Sequence, residues 1–370
     1  MNFGISIILK KNQLKMSLNF LSQLSLQDQS IITKTDISKL VDYLLLNAYS
    51  VNSSGLYNGK AGISLCLFEI ARFLQDDYIE NHAFELLQQS LLTRSEDIGF
   101  ENGLSGVGYV LTYLIKNKFI DADFDELFGL QLKKIEKYIE KSDISEIGGE
   151  KFIRQNIKIV FFLDLLCSCD SNYHYLARLF PIFSKAVSRL LNKYTSAIDK
   201  RQNVALKTEY ITFFETYLTA TAICDEFLIS SEALDGYTLL FKRNRLISNF
   251  KIGYYLGNII TRDDASMLKK MEEVNKGYAL QNIHLKMMPL AQYIDLLYLL
   301  RKNENLYKEY IELLEKGLFD DMSGEQLEQN LLSAIGKECF VAGYQSGIAR
   351  FLLYLIYREI KDVRTRLVFL

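Results

Sequence analysis

A motif of the form Asn-Gly-x-small-Gly occurs twice in the chain and restricts its fold more than any other feature. The two copies are residues 58–62 and 102–106, so Gly62 and Gly106 are 44 residues apart. A partial third copy lies at 346–348, and the 241 residues from Gly106 to Gly347 hold five further intervals of about 48 residues. A unit of this length is typical of a hairpin of two helices. The repeat therefore predicts a series of stacked helical hairpins.

Hydrophobic periodicity and turn signals divide the chain into about fourteen helices. The predicted segments are 35–49, 59–75, 78–94, 103–118, 123–141, 151–168, 172–197, 206–227, 231–247, 251–261, 264–277, 286–301, 304–317 and 343–360. Some segments are apolar around most of their circumference, namely 63–74, 156–168 and 343–360. Others are amphipathic, such as 123–141, whose apolar side is predicted to carry Leu127, Leu130, Ile135 and Ile139.

This alternation predicts the fold class: an all-α protein in which amphipathic outer helices wrap buried inner helices in a closed α/α toroid. We expect one such domain over residues 31–370. Residues 1–30 are expected to form a poorly defined N-terminal extension, within which Met16 is a second candidate translation start. The short apolar run near the N-terminus is followed by lysines, which is the wrong order for a signal peptide, and it is too short to span a membrane.

The asparagines and glycines of the motif have predicted mechanical roles. Asn58 and Asn102 lie at the predicted N-cap positions, so we expect their side-chain oxygens to accept hydrogen bonds from N–H groups of the first helical turn. In each copy the two glycines are three residues apart, on one face of the helix. Because they lack Cβ atoms, that face can approach a neighbouring inner helix or a ligand closely. These helix starts are expected to lie side by side at one end of the ring.

Composition excludes several function classes. The formal net charge is −2, so no long-range field attracts nucleic acid or an acidic lipid surface. The chain has five cysteines, mostly within apolar helical runs, which indicates buried free thiols in a reducing compartment. We therefore expect a cytoplasmic protein that neither spans a membrane nor binds nucleic acid.

At the glycine motifs the chain resembles the lanthionine synthetase C-like family. The matching strings are residues 55–62 and 103–108, with a weaker match at 343–348. The resemblance implies a toroid of seven inner and seven outer helices, in agreement with the helix count. It also implies a precursor peptide as partner, because typical members are zinc-dependent cyclases. They add a Cys thiol of the peptide to a dehydroalanine or dehydrobutyrine residue, and zinc suits this step because it binds the thiol as a thiolate.

The sequence departs from the family at the zinc ligands. The resemblance places one Cys at the start of one inner helix and an adjacent Cys-His pair at the start of the next. Here the first position reads Lys251-Ile252-Gly253, and the second, at 282–285, offers only His284. One His without thiolates does not make a zinc site, which normally needs three protein ligands. We therefore predict no metal and no other cofactor, and we keep His284 as a catalytic candidate.

The remaining candidate residues lie at the predicted end of the ring formed by 55–62, 99–106, 148–154 and 281–286. Glu101 is the second catalytic candidate. Tyr57, Asn58, Asn102 and Glu150 are predicted to bind substrate. Further carboxylates interrupt apolar inner segments and need a partner if they are buried, namely Glu69, Asp164, Glu215 and Asp295. Each of these carboxylates has two possible explanations, a structural ion pair or helix-cap contact on one hand and a functional role on the other.

The leading hypothesis is a lanthionine synthetase C-like protein of a system that matures ribosomal peptide natural products. It would bind or modify a precursor peptide without zinc, alongside other maturation enzymes, either as a thioether-forming cyclase or as a catalytically degenerate member. Two alternatives stay open. One is a carbohydrate-active α/α toroid that uses two of the carboxylates, and the other is a non-catalytic scaffold.

Overall fold

The computed structural model describes residues 33–141, 150–200, 204–224, 227–246, 249–259, 265–281, 290–332, 342–345 and 347–360. Within these ranges the chain forms sixteen α-helices and no strand. The helices are α1 (Lys34–Ala48), α2 (Lys60–Leu74), α3 (Asp77–Leu92), α4 (Leu104–Lys116), α5 (Phe124–Lys141), α6 (Glu150–Asn156), α7 (Ile159–Cys169), α8 (Leu179–Lys200), α9 (Val204–Ile223), α10 (Ser231–Lys242), α11 (Phe250–Ile259), α12 (Ala265–Gln281), α13 (Leu290–Arg301), α14 (Glu304–Met322), α15 (Gly324–Leu332) and α16 (Ile348–Ile360). A 3-10 helix, Ser171–Arg178, precedes α8.

Seven helices form a closed inner ring. In order they are α2, α4, α7, α9, α11, α13 and α16, each packs on the next, and α16 packs back on α2. Burial agrees with this position, since every residue of α2 from Ala61 to Ala71 is buried, as is every residue of α4 from Leu104 to Leu114. A helix without an exposed stripe must be covered on all sides. The predicted all-α toroid is therefore confirmed.

The outer layer contains the seven helices that were predicted, α1, α3, α5, α8, α10, α12 and α14. The short helix α15 also belongs to this layer. Helix α5 shows the expected amphipathic pattern, with buried residues Phe124, Phe128, Leu132, Ile135 and Ile139. The prediction that Leu130 lies on this face was wrong, since Leu130 is 82% exposed. At 100° per residue, a position midway between Phe128 and Leu132 points to the opposite side of the helix.

At both glycine motifs, the loop before the inner helix folds back onto the first turn of that helix. The N-caps are Gly59 and Gly103, without a side-chain cap, so the prediction that Asn58 and Asn102 cap α2 and α4 was wrong. Loop carbonyls take that role, because the N–H groups of Lys60 and Leu104 donate to carbonyls seven residues earlier, at 2.9 and 2.8 Å. With backbone acceptors already in place, the first turn has no need of the asparagine side chains.

One predicted helix is interrupted, and one helix was not predicted. The 151–168 segment divides into α6 and α7 around a turn at 157–158, and Lys158 becomes the N-cap of α7. A second break ends α14 at Ser323 and starts α15 at Gly324, whose φ of +55° favours glycine. Sequence reasoning had placed no helix at 324–332. The expected extension at 1–30, with Met16, lies outside the described residues.

Asp36 links helix α1 to the start of helix α15. Its Oδ2 accepts hydrogen bonds from the backbone N–H and the hydroxyl of Thr33, at 3.0 and 2.8 Å, which completes a capping box on α1. Its Oδ1 accepts from the backbone N–H of Gly324 at the start of α15, at 3.1 Å. Burial alone would raise the pKa of Asp36, but the hydrogen bonds from Thr33 and Gly324 outweigh it and lower the pKa.

We expect Asp36→Ala to lower the free energy of unfolding by about 1 kcal/mol at neutral pH, the usual net contribution of a hydrogen bond in a folded protein. Because the folded-state pKa is lowered, this stabilisation is present above the pKa of the unfolded chain and is lost as pH falls through the folded value. Urea unfolding of wild type and variant should therefore converge towards acid pH. The exposed Asp42→Ala on the same helix is the control. A difference independent of pH would contradict the assignment.

Candidate functional site at the ring mouth

Three loops lie side by side where α2, α4 and α16 begin. The backbone N–H of Tyr57 donates to the carbonyl of Glu101 at 2.7 Å, and the backbone N–H of Gln345 donates to the carbonyl of Tyr57 at 3.0 Å. Gly55 packs on the backbone of Asn102, since a Cβ at Gly55 would lie 2.4 Å from the Cα of Asn102. The prediction that the motif copies meet at one end of the ring is confirmed. We call this end the mouth.

The side chain of Tyr57 is buried among these loops. Lys158 donates from Nζ to the Tyr57 hydroxyl at 2.9 Å and to Oε1 of Glu101 at 2.6 Å. The same ammonium lies 4.6 Å from the centroid of the Tyr57 ring. Burial alone would lower the pKa of Lys158, but Tyr57 and Glu101 outweigh burial and raise the pKa. Lys158 is therefore a fixed cation that joins the loops before α2 and α4 to the start of α7.

A second ion pair lies further round the ring. Nζ of Lys251, the second residue of α11, is 3.4 Å from Oε1 of Glu215 in α9, and Oε2 of Glu215 accepts from the side-chain amide of Asn249 at 2.8 Å. Lys251 also interacts electrostatically with Asp295 and with Tyr57 on the other side of the ring. Burial lowers the pKa of Lys251, but Glu215 and Asp295 outweigh it, so the pKa is raised and the ammonium stays charged.

A third ion pair joins α13 to α16. The guanidinium of Arg350 donates to Asp295, and its side chain is only 3% exposed against 26% for Asp295. Arg350 interacts electrostatically with Tyr57 and Tyr344, and its Cζ lies 5.9 Å from the centroid of the Tyr344 ring. The Tyr344 hydroxyl is buried and has no hydrogen-bond partner among the residues that the structure describes. Cations and tyrosines thus line the mouth together.

Six charged side chains form what we call the mouth charge ring. Each comes from a different inner helix or from the residues just before it, and the signs alternate round the toroid: Glu101, Lys158, Glu215, Lys251, Asp295 and Arg350. Tyr57 takes the remaining position, before α2. Most of these side chains are partly exposed, so the arrangement offers donors and acceptors to a ligand that enters at the mouth.

The structure brings together part of the predicted site. Tyr57 and Glu101 are members of one hydrogen-bonded cluster, and Asn58 and Asn102 are exposed on the same loops. Glu150 lies at the start of α6, where its Oε2 pairs with Nζ of Lys193 at 2.6 Å, so its carboxylate engages the outer helix α8. His284 and the predicted mouth segment at 282–286 lie outside the described residues.

Several polar residues within the inner helices have structural partners. Glu69 accepts a hydrogen bond from the Tyr113 hydroxyl at 2.5 Å. Glu215 and Asp295 form the ion pairs described above. Cys66, Cys167 and Cys224 are buried free thiols, as predicted, whereas Cys169 at the end of α7 is exposed. The partners found for these carboxylates match the structural explanation that the sequence had left open.

Sequence reasoning missed the three cations of the mouth charge ring. Lys158, Lys251 and Arg350 are single positive charges at the starts of apolar helices, and that signal was available. Their significance depends on carboxylates 36 to 57 residues away in the chain. Such a separation gives no local pattern, so only the packed ring reveals the pairs.

The residues at the start of α11 do not fit zinc. The segment in which the resemblance implies a thiolate begins with Lys251 and contains no cysteine, and the ammonium of Lys251, whose pKa Glu215 and Asp295 raise, would repel a divalent cation rather than bind it. Among the described parts of the chain, no group of three His, Cys, Asp or Glu side chains is arranged to hold a metal ion. The second implied position, at 282–285, lies outside them.

Comparison with known proteins agrees with this architecture. A family model described as lanthionine synthetase C-like protein matches residues 50–218, which include both complete glycine motifs, Tyr57, three whole inner helices and most of a fourth, α9. Searches of curated proteins and of solved structures return no match. No helix in the described ranges is long and apolar enough to cross a membrane. Over residues 50–218, somewhat less than half of the chain, the sequence is therefore similar to the lanthionine synthetase C-like family.

Proposed function

We propose that this protein binds a precursor peptide of a ribosomal natural-product system across the mouth, and that it does so without zinc. The observation that carries the proposal is the mouth charge ring, in which Lys251 begins a segment without cysteine where the resemblance implies a thiolate ligand. A peptide backbone needs both donors and acceptors, and the partly exposed pairs Lys158–Glu101 and Lys251–Glu215 supply both within one opening.

Exposed amides at the rim support the same site. Asn58 and Asn102 lie on adjacent loops beside Glu101, and both amides are free to face solvent or a ligand. Side-chain amides suit an extended peptide because each offers one acceptor and two donors. Glu150 and His284 stay candidates for a wider contact surface. A cytoplasmic location, together with other maturation enzymes as partners, belongs to this same proposal.

The test uses the short Cys/Ser/Thr-rich peptide that we expect to be encoded beside the gene. We expect the fluorescently labelled peptide to bind the full chain, and Asn102→Arg to weaken binding about tenfold because a long cationic side chain would obstruct the rim. Leu130→Arg is the matched control, since it places the same side chain on the exposed face of α5. Equal affinity for both variants, or no binding by wild type, would contradict the proposal.

A second assay separates binding from catalysis. Thioether formation from a dehydrated peptide leaves the mass unchanged and removes one alkylatable thiol for each ring formed. Incubation with the protein, followed by alkylation and mass spectrometry, shows which of the two roles applies. The carbohydrate-active alternative gains no support from the mouth, because all three of its carboxylates are held by neighbouring cations rather than set in a pair across an open cleft.

A further inference from the structure

An acidic surface with exposed aromatic rings lies where the outer helices α1 and α3 adjoin. The hydroxyl of Tyr49, the C-cap of α1, donates to Oε2 of Glu85 in α3 at 2.5 Å and lies 2.5 Å from Nδ1 of His82. The centroid of the Tyr78 ring is 4.5 Å from that of the His82 ring. Helix α3 contains three carboxylates and neither Lys nor Arg. We call this surface the acidic face, and its members are Asp42, Leu46, Tyr49, Tyr78, His82 and Glu85.

The acidic face combines exposed apolar groups with a carboxylate that is held in place. Leu46 is 81% exposed and lies one helical turn before Tyr49, and the Tyr78 ring is 65% exposed. Tyrosine is enriched where proteins bind each other, because its ring buries much area at a low cost in side-chain freedom. The hydrogen bond from Tyr49 positions Glu85, whose side chain is still 58% exposed. A partner with cations beside an apolar side chain would complement this face.

A surface with that complementary chemistry lies on helix α8 of the same chain. Four cations follow one another there at intervals of four, four and seven residues, which places them in one stripe along the helix. An isoleucine that is 40% exposed lies one turn before the first of them. We call this stripe the basic face, and its members are Ile182, Lys185, Arg189, Lys193 and Lys200.

Neighbouring carboxylates leave most of the positive charge of the basic face in place. Glu150 of α6 pairs with Lys193 at 2.6 Å and offsets the charge of that residue. Asp199 is the single carboxylate within α8, and it pairs with an arginine of α10. Glu232 of α10 engages uncharged polar side chains of α8. The basic face therefore keeps a net positive charge.

We propose that the acidic face of one copy of this chain docks on the basic face of a second copy. Each face offers exposed apolar side chains beside charges of one sign, and the two signs are opposite. Because the faces belong to different outer helices, the contact is heterologous and copies add head to tail. Stable complexes bury about 1,200–2,000 Å². We expect a contact between so few helices to lie near the lower end of this range, so the association is reversible and depends on the charges.

Sedimentation equilibrium of the full chain measures this association. The Debye length is about 30 Å at about 0.01 M salt and about 3 Å at about 1 M, so charges across an interface attract much more strongly at the lower ionic strength. We expect the weight-average mass at low salt to rise with protein concentration over the micromolar range. At high salt it should stay that of one chain. A wild type that is monomeric at low salt would overturn the inference and leave both faces to other partners.

Charge reversals test which surfaces meet. Glu85→Lys alters the acidic face and Lys185→Glu alters the basic face, and both side chains are exposed, so both variants should fold. Each variant alone should remain monomeric at low salt, because its contacts would place like charges together. Association should return in an equimolar mixture, because the intact basic face of the first variant meets the intact acidic face of the second. Complexes of two or more chains are therefore expected only in the mixture.

The matched control for these reversals is Glu273→Lys, which makes the same change of charge on an exposed residue of α12. It should associate like wild type, because α12 carries neither face. If Glu85→Lys fails to fold, Asp42→Lys replaces it on the acidic face. Association of either single variant at the wild-type level, or a mixture that stays monomeric, would overturn the inference. The proposed peptide binding at the mouth stands or falls independently of this result.

Discussion

Gly62→Ala is expected to destabilise the protein severely, by about 3 kcal/mol or more. A Cβ at Gly62 would lie 1.8 Å from the carbonyl oxygen of Leu56 and 2.7 Å from Cβ of Tyr344, so backbone as well as side chains would have to move. Overpacking a well-filled core usually costs about 1–3 kcal/mol. Here the added methyl group would clash with backbone where the ring closes, so we expect a cost at the upper end of this range or above it. Guanidinium unfolding followed by circular dichroism measures the loss directly.

Gly277→Ala is the matched control for this prediction. Gly277 lies within α12 and a Cβ there would meet nothing within 4 Å. Alanine has the higher helix propensity, so this variant should gain roughly 0.5–1 kcal/mol. Gly106→Ala should behave like Gly62→Ala, since its Cβ would lie 2.1 Å from the carbonyl oxygen of Phe100. If Gly62→Ala and Gly277→Ala had equal stability, the tight packing of loop on helix would be refuted.

Arg350→Met is the second change with a large expected effect. The Arg350 side chain is almost completely buried and its partner Asp295 is about one quarter exposed. Removing one member of a buried ion pair leaves an uncompensated charge and costs about 3–5 kcal/mol, and the partial exposure of Asp295 puts this case near about 3 kcal/mol. Thermal unfolding and urea titration both report the change.

A double-mutant cycle isolates the pair from simple loss of packing. Asp295→Leu alone should also destabilise, whereas the double variant Arg350→Met/Asp295→Leu should recover much of the stability, because no charge remains unpaired. Strictly additive single effects would show that the two residues are not coupled. The cycle also tests the contact between the last two inner helices, since Arg350 belongs to α16 and Asp295 belongs to α13.

The repeat was sufficient to predict the architecture but not its capping. Helices α2, α4 and α16 start close to where the motif copies placed them, because spacing and burial pattern are properties of the sequence itself. The choice between asparagine side chains and loop carbonyls as caps depends on how the loop folds back. Asn58 and Asn102 satisfied the local rule, but the backbone of the preceding loop was already the better placed acceptor.

The mouth was predicted only in part, for a related reason. Glu101 and Tyr57 could be placed there because they flank the motifs. Lys158 reaches them only because a turn divides the predicted 151–168 helix and makes this residue an N-cap. Glu150 was expected beside them, but a lysine of the outer helix α8 holds its carboxylate. The partners of Lys158 and Glu150 depend on contacts between helices that are far apart in the chain, and hydrophobic periodicity does not predict such contacts.

The mouth charge ring also gives a physical reason for the sequence at the start of α11. Three of its members are carboxylates, Glu101, Glu215 and Asp295, and partly buried negative charges need cations as partners. Lys158, Lys251 and Arg350 supply them as side chains, each from its own inner helix. The three positive and three negative charges of the mouth charge ring thereby balance one another.

Metal analysis of the purified full-length protein tests this account most directly. The protein would be dialysed against zinc at neutral pH, desalted, and assayed for bound metal by mass spectrometry, alongside the Lys251→Met variant. We expect far less than one zinc per chain in wild type, because the segment that begins at Lys251 has no thiolate and the charged ammonium of Lys251 would repel the metal. Stoichiometric zinc in wild type, held at the mouth, would contradict the account.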